Sequence, residues 1–243
     1  MVVENQKKSI IKCNFGEILN TNAIQKLFML TISILFVFSC QKENNNTIIE
    51  TIKDIDGNIY HTVTIGKQVW MVENLKTTKY LNGDTIIKSN SSWFNINKGA
   101  YSEYDINLYN RFDYGYIYNG YVLVDKRNIC PIGWHVSTES DWDTLIQFLG
   151  GKEIAGGKLK ELGYKHWLSP NTSANNSFGF NALPGGTKTP TGSNYNNGKE
   201  GRWCGFNGNI NSPIFQLNYD SSSVNKIIGF TGQNGFSIRC VKN

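Results

Sequence analysis

The chain has 243 residues, a net charge of +5 and charged residues at only 18%. It is long enough to bury a sizeable core, and too weakly basic for the cationic stripe that a nucleic-acid interface needs. Removing residues 1–40, which hold four of the 24 Lys and Arg and two of the 19 Asp and Glu, leaves +3, while 31 Asn, 24 Gly and 12 Tyr point to many turns on a β-rich scaffold.

Lys7, Lys8, Lys12 and Lys26 precede an apolar run from Leu27 to Phe38. That run is too short to span a bilayer and suits the hydrophobic segment of a secretory signal. Ser39-Cys40 follows where a cleavage site belongs and resembles a bacterial lipobox, which implies lipidation of Cys40. Residues 1–40 are therefore read as a signal peptide, 41–49 as a polar tether and 50–243 as the folded domain. Lys42-Glu43 is similar to the charged signal that sends some Bacteroidetes lipoproteins to the cell surface. The expected location is the cell envelope, with a lipid anchor in the outer membrane.

Ile48 to Ile55 and Ile59 to Ile65, joined at Asp56-Gly57, form a predicted β-hairpin. His61 alternates with Val63 and Ile65, so it shares their face as a core or rim residue. Gln68 to Leu75 continues the sheet with Trp70 buried, and Asn82-Gly83-Asp84 makes a turn. Residues 90–122 interleave aromatics with Asn, Ser, Asp and Gly. Most of those rings belong in a core. Trp93, Tyr101 and Tyr104 sit among polar residues and are the expected exposed, ligand-binding rings, suited to stacking on sugars. Tyr114 to Asn119 reads as a strand leading towards Cys130.

Cys130 to Gly151 holds the strongest helix signal. Thr138 and Asp141 have the form of a capping box, and Glu139, Asp141 and Asp143 place negative charge at the first turn. Trp142, Leu145, Ile146 and Leu149 make one apolar stripe, and Gly150-Gly151 supplies the stop. Lys152 to Leu162 forms a weaker helix that Gly156-Gly157 interrupts. Residues 163–213 are loop-rich, which in a domain of this size requires either a function or internal packing. Phe215, Leu217 and Tyr219 alternate in one strand, and Phe236, Ile238 and Cys240 in the last. The first and last strands are candidate neighbours.

In an oxidising compartment Cys130, Cys204 and Cys240 give one disulfide and one free thiol. Cys130–Cys240 is the favoured pair because it ties the start of the helix to the last strand. Cys204 is then a buried thiol packed beside Trp203. There is no Cys-x-x-Cys, no Gly-x-Ser-x-Gly and no His-Glu-x-x-His, and the Gly-rich run at Thr187-Lys188-Thr189 lacks the glycine of a phosphate loop. Asp105, Asp113 and Glu161 are candidate acids that no spacing pairs. Loop Asn and Asp residues are a composition open to Ca²⁺, although no EF-hand pattern is present and solvated turns explain them more simply. No metal ligand set, no other cofactor and no enzymatic activity is expected.

Five blocks carry a resemblance to a known family. They are Asp56-Gly-Asn-Ile-Tyr60 with Ile65 to Leu75, Tyr114 to Asn119, Cys130-Pro-Ile-Gly-Trp-His-Val136 with Trp142, Asn176 to Gly186, and Gly235 to Lys242. Together they resemble the Fibrobacter succinogenes major paralogous domain of Bacteroidetes lipoproteins. Gly133 to Trp142 with the terminal Gly-Phe-Ser-Ile-Arg is also similar, more distantly, to formylglycine-generating enzymes and the C-type-lectin-like fold. That likeness implies an α+β fold: a twisted antiparallel sheet with one or two short helices and long loops. Asp84-Thr85-Ile86 matches the O-glycosylation pattern of Bacteroidetes, which implies modification of Thr85. The expected function is a non-catalytic, lipid-anchored module that binds an extracellular glycan or a surface or host protein. The alternative is a structural or assembly subunit of a surface complex or fimbria-like fibre.

Overall fold

A computed structural model describes residues 50–103, 113–230 and 232–243. The signal-like segment with Cys40, the residues 41–49 and Tyr104 lie outside them. The described chain opens on β1 (Thr51–Lys53), antiparallel to β2 (Ile59–Ile65). β1 ends before the expected Ile55 because Asp54 organises the turn. Its carboxylate accepts from the backbone N–H of Asp56 and Asn58, from the Asn58 amide, and from the Tyr60 hydroxyl at 2.6 Å. Four donors thus satisfy a carboxylate that no described cation pairs with. β3 (Gln68–Met71) extends the sheet antiparallel to β2 and buries Trp70 completely. Val63 and Ile65 join the same core, while His61 lies at the exposed rim against Glu73.

β4 (Ile87–Lys88) runs parallel to β5 (Ala100–Ser102), and β5 runs antiparallel to β6 (Ile117–Asn119). Here the sequence reading needs correction. Trp93 is 0% exposed and Tyr101 6%, so neither is a surface ring for a ligand. Trp93 packs with Ala100, Tyr114, Ile117 and Leu183, and its indole N–H donates to the Ser89 carbonyl at 2.8 Å. Tyr101 lies in β5 and stacks on Tyr116 at 5.0 Å. The polar neighbours mark turns rather than an exposed face. Ser92 Oγ donates to the Pro190 carbonyl and Asn90 Oδ1 accepts from the Glu103 N–H, so these side chains serve the backbone while the rings fill the core.

β7 (Trp134–Val136) leads into α1 (Glu139–Phe148). Thr138 and Asp141 form the reciprocal capping box that the sequence predicts. Trp142 projects from α1 into an aromatic cluster, with ring centroids 5.3 Å from Trp70, 5.8 Å from Phe180, 5.9 Å from Trp203 and 5.0 Å from a stacked Phe215. α2 (Lys152–Leu159) runs through Gly156-Gly157 without a break. A Cβ on Gly156 would stand 2.4 Å from the Ser223 carbonyl, so the glycine lets the helix lie directly on that backbone.

The loop-rich region has packing of its own. It contains β8 (Thr187–Lys188), β9 (Asn194–Tyr195) and β10 (Glu200–Cys204), and β10 pairs along its whole length with β11 (Ile214–Asn218). β12 (Val224–Ile227) completes that sheet. Asn128, Asn171, Asn176, Asn181 and Asn196 all have positive φ. These left-handed turns account for part of the asparagine content, since Asn tolerates that conformation best among side chains with a Cβ.

The expected last strand is two strands. β13 (Gly235–Phe236) pairs with β6 and β8, whereas β14 (Cys240–Lys242) lies between β3 and β7. The sheets run β1-β2-β3-β14-β7, β10-β11-β12 and β4-β5-β6-β13-β8-β9. First and last strands therefore share a sheet without being neighbours. Mainly antiparallel strands with two short helices make this an α+β domain. Cys130 and Cys240 form the disulfide, with Cα atoms 6.0 Å apart. Cys204 is free and buried with Ile214 and Phe236, and burial pushes its thiol pKa up.

The capping carboxylate has a second partner, because Asp141 Oδ2 lies 2.9 Å from His135 Nε2. Burial opposes ionisation of Asp141, but bonds from His135 and Thr138 outweigh it and hold the carboxyl at about 2. The Asp141 bond in turn raises the pKa of His135. Asp141 therefore contributes stability above its unfolded value of 3.8, and that contribution is lost as pH falls through 2. His135 contributes below its unfolded value of 6.5 and loses the contribution as pH rises through its raised folded value. Urea titrations across pH are expected to show Asp141→Asn losing most between those limits, by about 2 kcal/mol after discounting for the partly exposed ring. A gap that stays flat from acid to alkaline pH would mean that the cap alone matters.

Candidate functional site

Two of the concavities formed by the described residues each gather several polar side chains. The larger, about 530 Å³, opens between β4, the residues before β5 and the turn after β6. Tyr80 is buried at its base, and Gly99 sits against that ring: a Cβ there would fall 1.9 Å from the Tyr80 hydroxyl. Arg127 lies flat on the ring at 3.9 Å. Its Nε and Nη2 donate to the two oxygens of Asp125 at 2.8 and 2.6 Å, and its Nη1 donates to Asp84 at 2.9 Å. The Arg127 bond is the largest influence on Asp125 and holds its carboxyl at about 2. Burial, then Asp125, pushes the Tyr80 hydroxyl up to about 12. Exposed Ile87 and Val124 with half-buried Tyr121 give the pocket an apolar side, and exposed Thr85, Asn97 and Lys98 give it a polar one.

The second concavity, a cleft of about 430 Å³, is ionic. His166, whose side chain is 3% exposed, bridges two carboxylates: Nδ1 lies 2.8 Å from Glu161 Oε2 and Nε2 lies 3.0 Å from Asp113 Oδ2. Lys165 reaches the same Asp113 oxygen at 3.0 Å. Burial opposes ionisation of Asp113, but Lys165 and His166 outweigh it and lower its pKa. At the rim His61 Nδ1 meets Glu73 Oε1 at 2.6 Å. Asp113 and Glu161, unrelated by spacing, thus meet through a histidine that sequence reading did not single out.

A family model for the Fibrobacter succinogenes major domain matches residues 63–242. The chain belongs to that family. No curated protein and no solved structure matches it.

The blocks that carry the resemblance to the Fibrobacter succinogenes major domain meet inside the molecule at Asn74, and they also supply Ile59, Val72, Glu73, Asn181 and Leu183 to the lining of the ionic cleft. Asn74 Oδ1 accepts from Trp203 Nε1 at 2.8 Å and Arg239 Nε at 2.9 Å, while its amide donates to the Tyr114 carbonyl at 2.9 Å and Ser237 Oγ at 3.3 Å. One fully engaged side chain thereby joins the segment after β3, β10 and the β13–β14 connection.

Of the residues singled out from sequence, Thr85 lines the larger pocket with its side chain exposed, while His61, Asp113 and Glu161 line the ionic cleft. The pocket's Asn97, Lys98, Tyr121 and Arg127 were missed, although both turn clusters are visible: Asn97-Lys98-Gly99 and Asp125-Lys126-Arg127-Asn128 bracket the aromatic block. Among the described residues no group of three or more His, Cys, Asp or Glu is placed to hold a metal ion. No described helix is long and apolar enough to cross a membrane.

Proposed function

We propose that this is a lipid-anchored protein of the cell envelope, held at the outer membrane through Cys40, whose folded domain binds an extracellular glycan without catalysing a reaction. The observation that carries the reading is the larger pocket. It sets an apolar side of Ile87, Val124 and Tyr121 beside Asn97, Thr85 and the fixed Arg127–Asp125 pair. A sugar ring needs both, since its C–H faces seek apolar surface and its hydroxyls seek directional partners. Strands packed under long loops also suit a C-type-lectin-like arrangement. Thr85 is exposed on the pocket's edge and is the proposed O-glycosylation site, so a sugar attached there would compete with a free one.

A glycan array probed with the purified full chain tests this. Val124→Asp and Asn97→Ala are each expected to weaken saturable binding by roughly tenfold with little change in melting temperature, as both are surface substitutions. Trp93→Ala and Tyr101→Ala are expected instead to lower the melting temperature. An array without signal from protein that melts cooperatively and lacks a sugar on Thr85 would reject the glycan reading in favour of the assembly-subunit reading.

A further inference from the structure

The two cations of the larger pocket stand in opposite circumstances. Arg127 is already engaged: Asp125 takes two of its five N–H groups, Asp84 takes a third, and the guanidinium stands over Tyr80. Lys98 is exposed and, among the described residues, has no carboxylate partner. The pocket therefore presents one free ammonium beside the Asn97 amide, the Thr85 hydroxyl and the apolar side chains of Ile87 and Val124.

We propose that the pocket selects an acidic sugar, a hexuronate unit, with its carboxylate on Lys98 and one ring face on Ile87 and Val124. The inference rests on the glycan-binding reading and goes beyond it by naming the charge of the ligand. Arg127 offsets one of the two charges of Asp125 and Asp84, and with Lys98 the four groups sum to zero, so the pocket carries no net negative charge to repel such an anion. A neutral sugar leaves the Lys98 ammonium to water, whereas a uronate adds a charge-assisted hydrogen bond, an advantage of roughly tenfold at low salt. The advantage shrinks as salt rises, because the ammonium is exposed.

Calorimetric titration of the full chain with tetragalacturonate and with its methyl ester tests the charge alone, since the two share ring, linkage and size. The acid is expected to bind about tenfold more tightly than the ester. Lys98→Gln is expected to bring the acid down to the ester's affinity without changing the ester's, and Lys98→Arg to keep the preference. Equal affinities for acid and ester, or a preference that survives Lys98→Gln, would overturn the inference and leave the glycan reading standing. Failure of both ligands to bind, with no response on a wider glycan array, would overturn the two together.

Discussion

Arg239→Ala is expected to remove about 3–5 kcal/mol of folding stability, a large share of the roughly 5–15 kcal/mol that a domain usually has. Arg239 is 0% exposed. Its Nε donates to Asn74 Oδ1 at 2.9 Å, Nη1 donates to the Phe180 carbonyl, and Nη2 donates to the Asn181 carbonyl at 3.0 Å. The guanidinium stands 4.1 Å over the Phe180 ring and 5.6 Å from that of Trp203. Burial pulls its pKa down, and Glu73 is the charge that acts in the other direction. This cation is therefore held by carbonyl dipoles and aromatic faces in place of a bonded carboxylate. Truncation would strip partners from two carbonyls and from Asn74 in a region that water does not reach, and would leave a cavity. Arg239→Lys keeps the charge but supplies a point donor where a fork is needed, so it should recover only part of the loss. Urea unfolding at constant pH measures both. A loss below about 1 kcal/mol for alanine would mean that the cost of burying the charge cancels its bonds.

That node also shows what was legible in the sequence. Asn74 and Arg239 lie in motif blocks and Trp203 lies between two of them, but segments far apart in the chain do not announce that they meet. The capping box, the α1 stripe and the disulfide were readable because each is set by local spacing or by a shortage of alternatives. Exposure was not readable in residues 90–103. Turn residues surround Trp93 for the sake of the backbone, and hydrophilic neighbours within a turn say nothing about where the ring points. The same holds for the final segment. Period-two alternation ran unbroken from Phe236 to Cys240, yet Ser237, Ile238 and Arg239 carry the chain from one sheet to another. Lys98 was invisible for a further reason: that no described carboxylate pairs with it depends on how segments distant in the chain pack together.

Removing the Cys130–Cys240 bond by paired alanine substitution is expected to cost about 3–5 kcal/mol. The bond spans 110 residues. Opening a loop of that length frees the unfolded chain by about 4–5 kcal/mol in the chain-entropy account. That loop contains β7, both helices, all of β8 to β12 and β13. The larger pocket draws its lining from residues 80–127, outside the loop. Stability and pocket geometry should therefore separate. The variant is expected to unfold at lower urea, while at low temperature its folded fraction keeps whatever saccharide affinity the parent has. Alanine is preferable to serine, because both sulfurs lie in a core with Tyr60, Met71, Leu75 and Ile238, where a new hydroxyl would lack partners. Cys204 supplies the internal control. It is 3% exposed, so a thiol reagent applied to the native oxidised chain should label nothing within residues 50–243 until the domain opens. Were the paired variant as stable as the parent, the unfolded chain would have to be held compact by something other than the bond, and the entropic account would fail here.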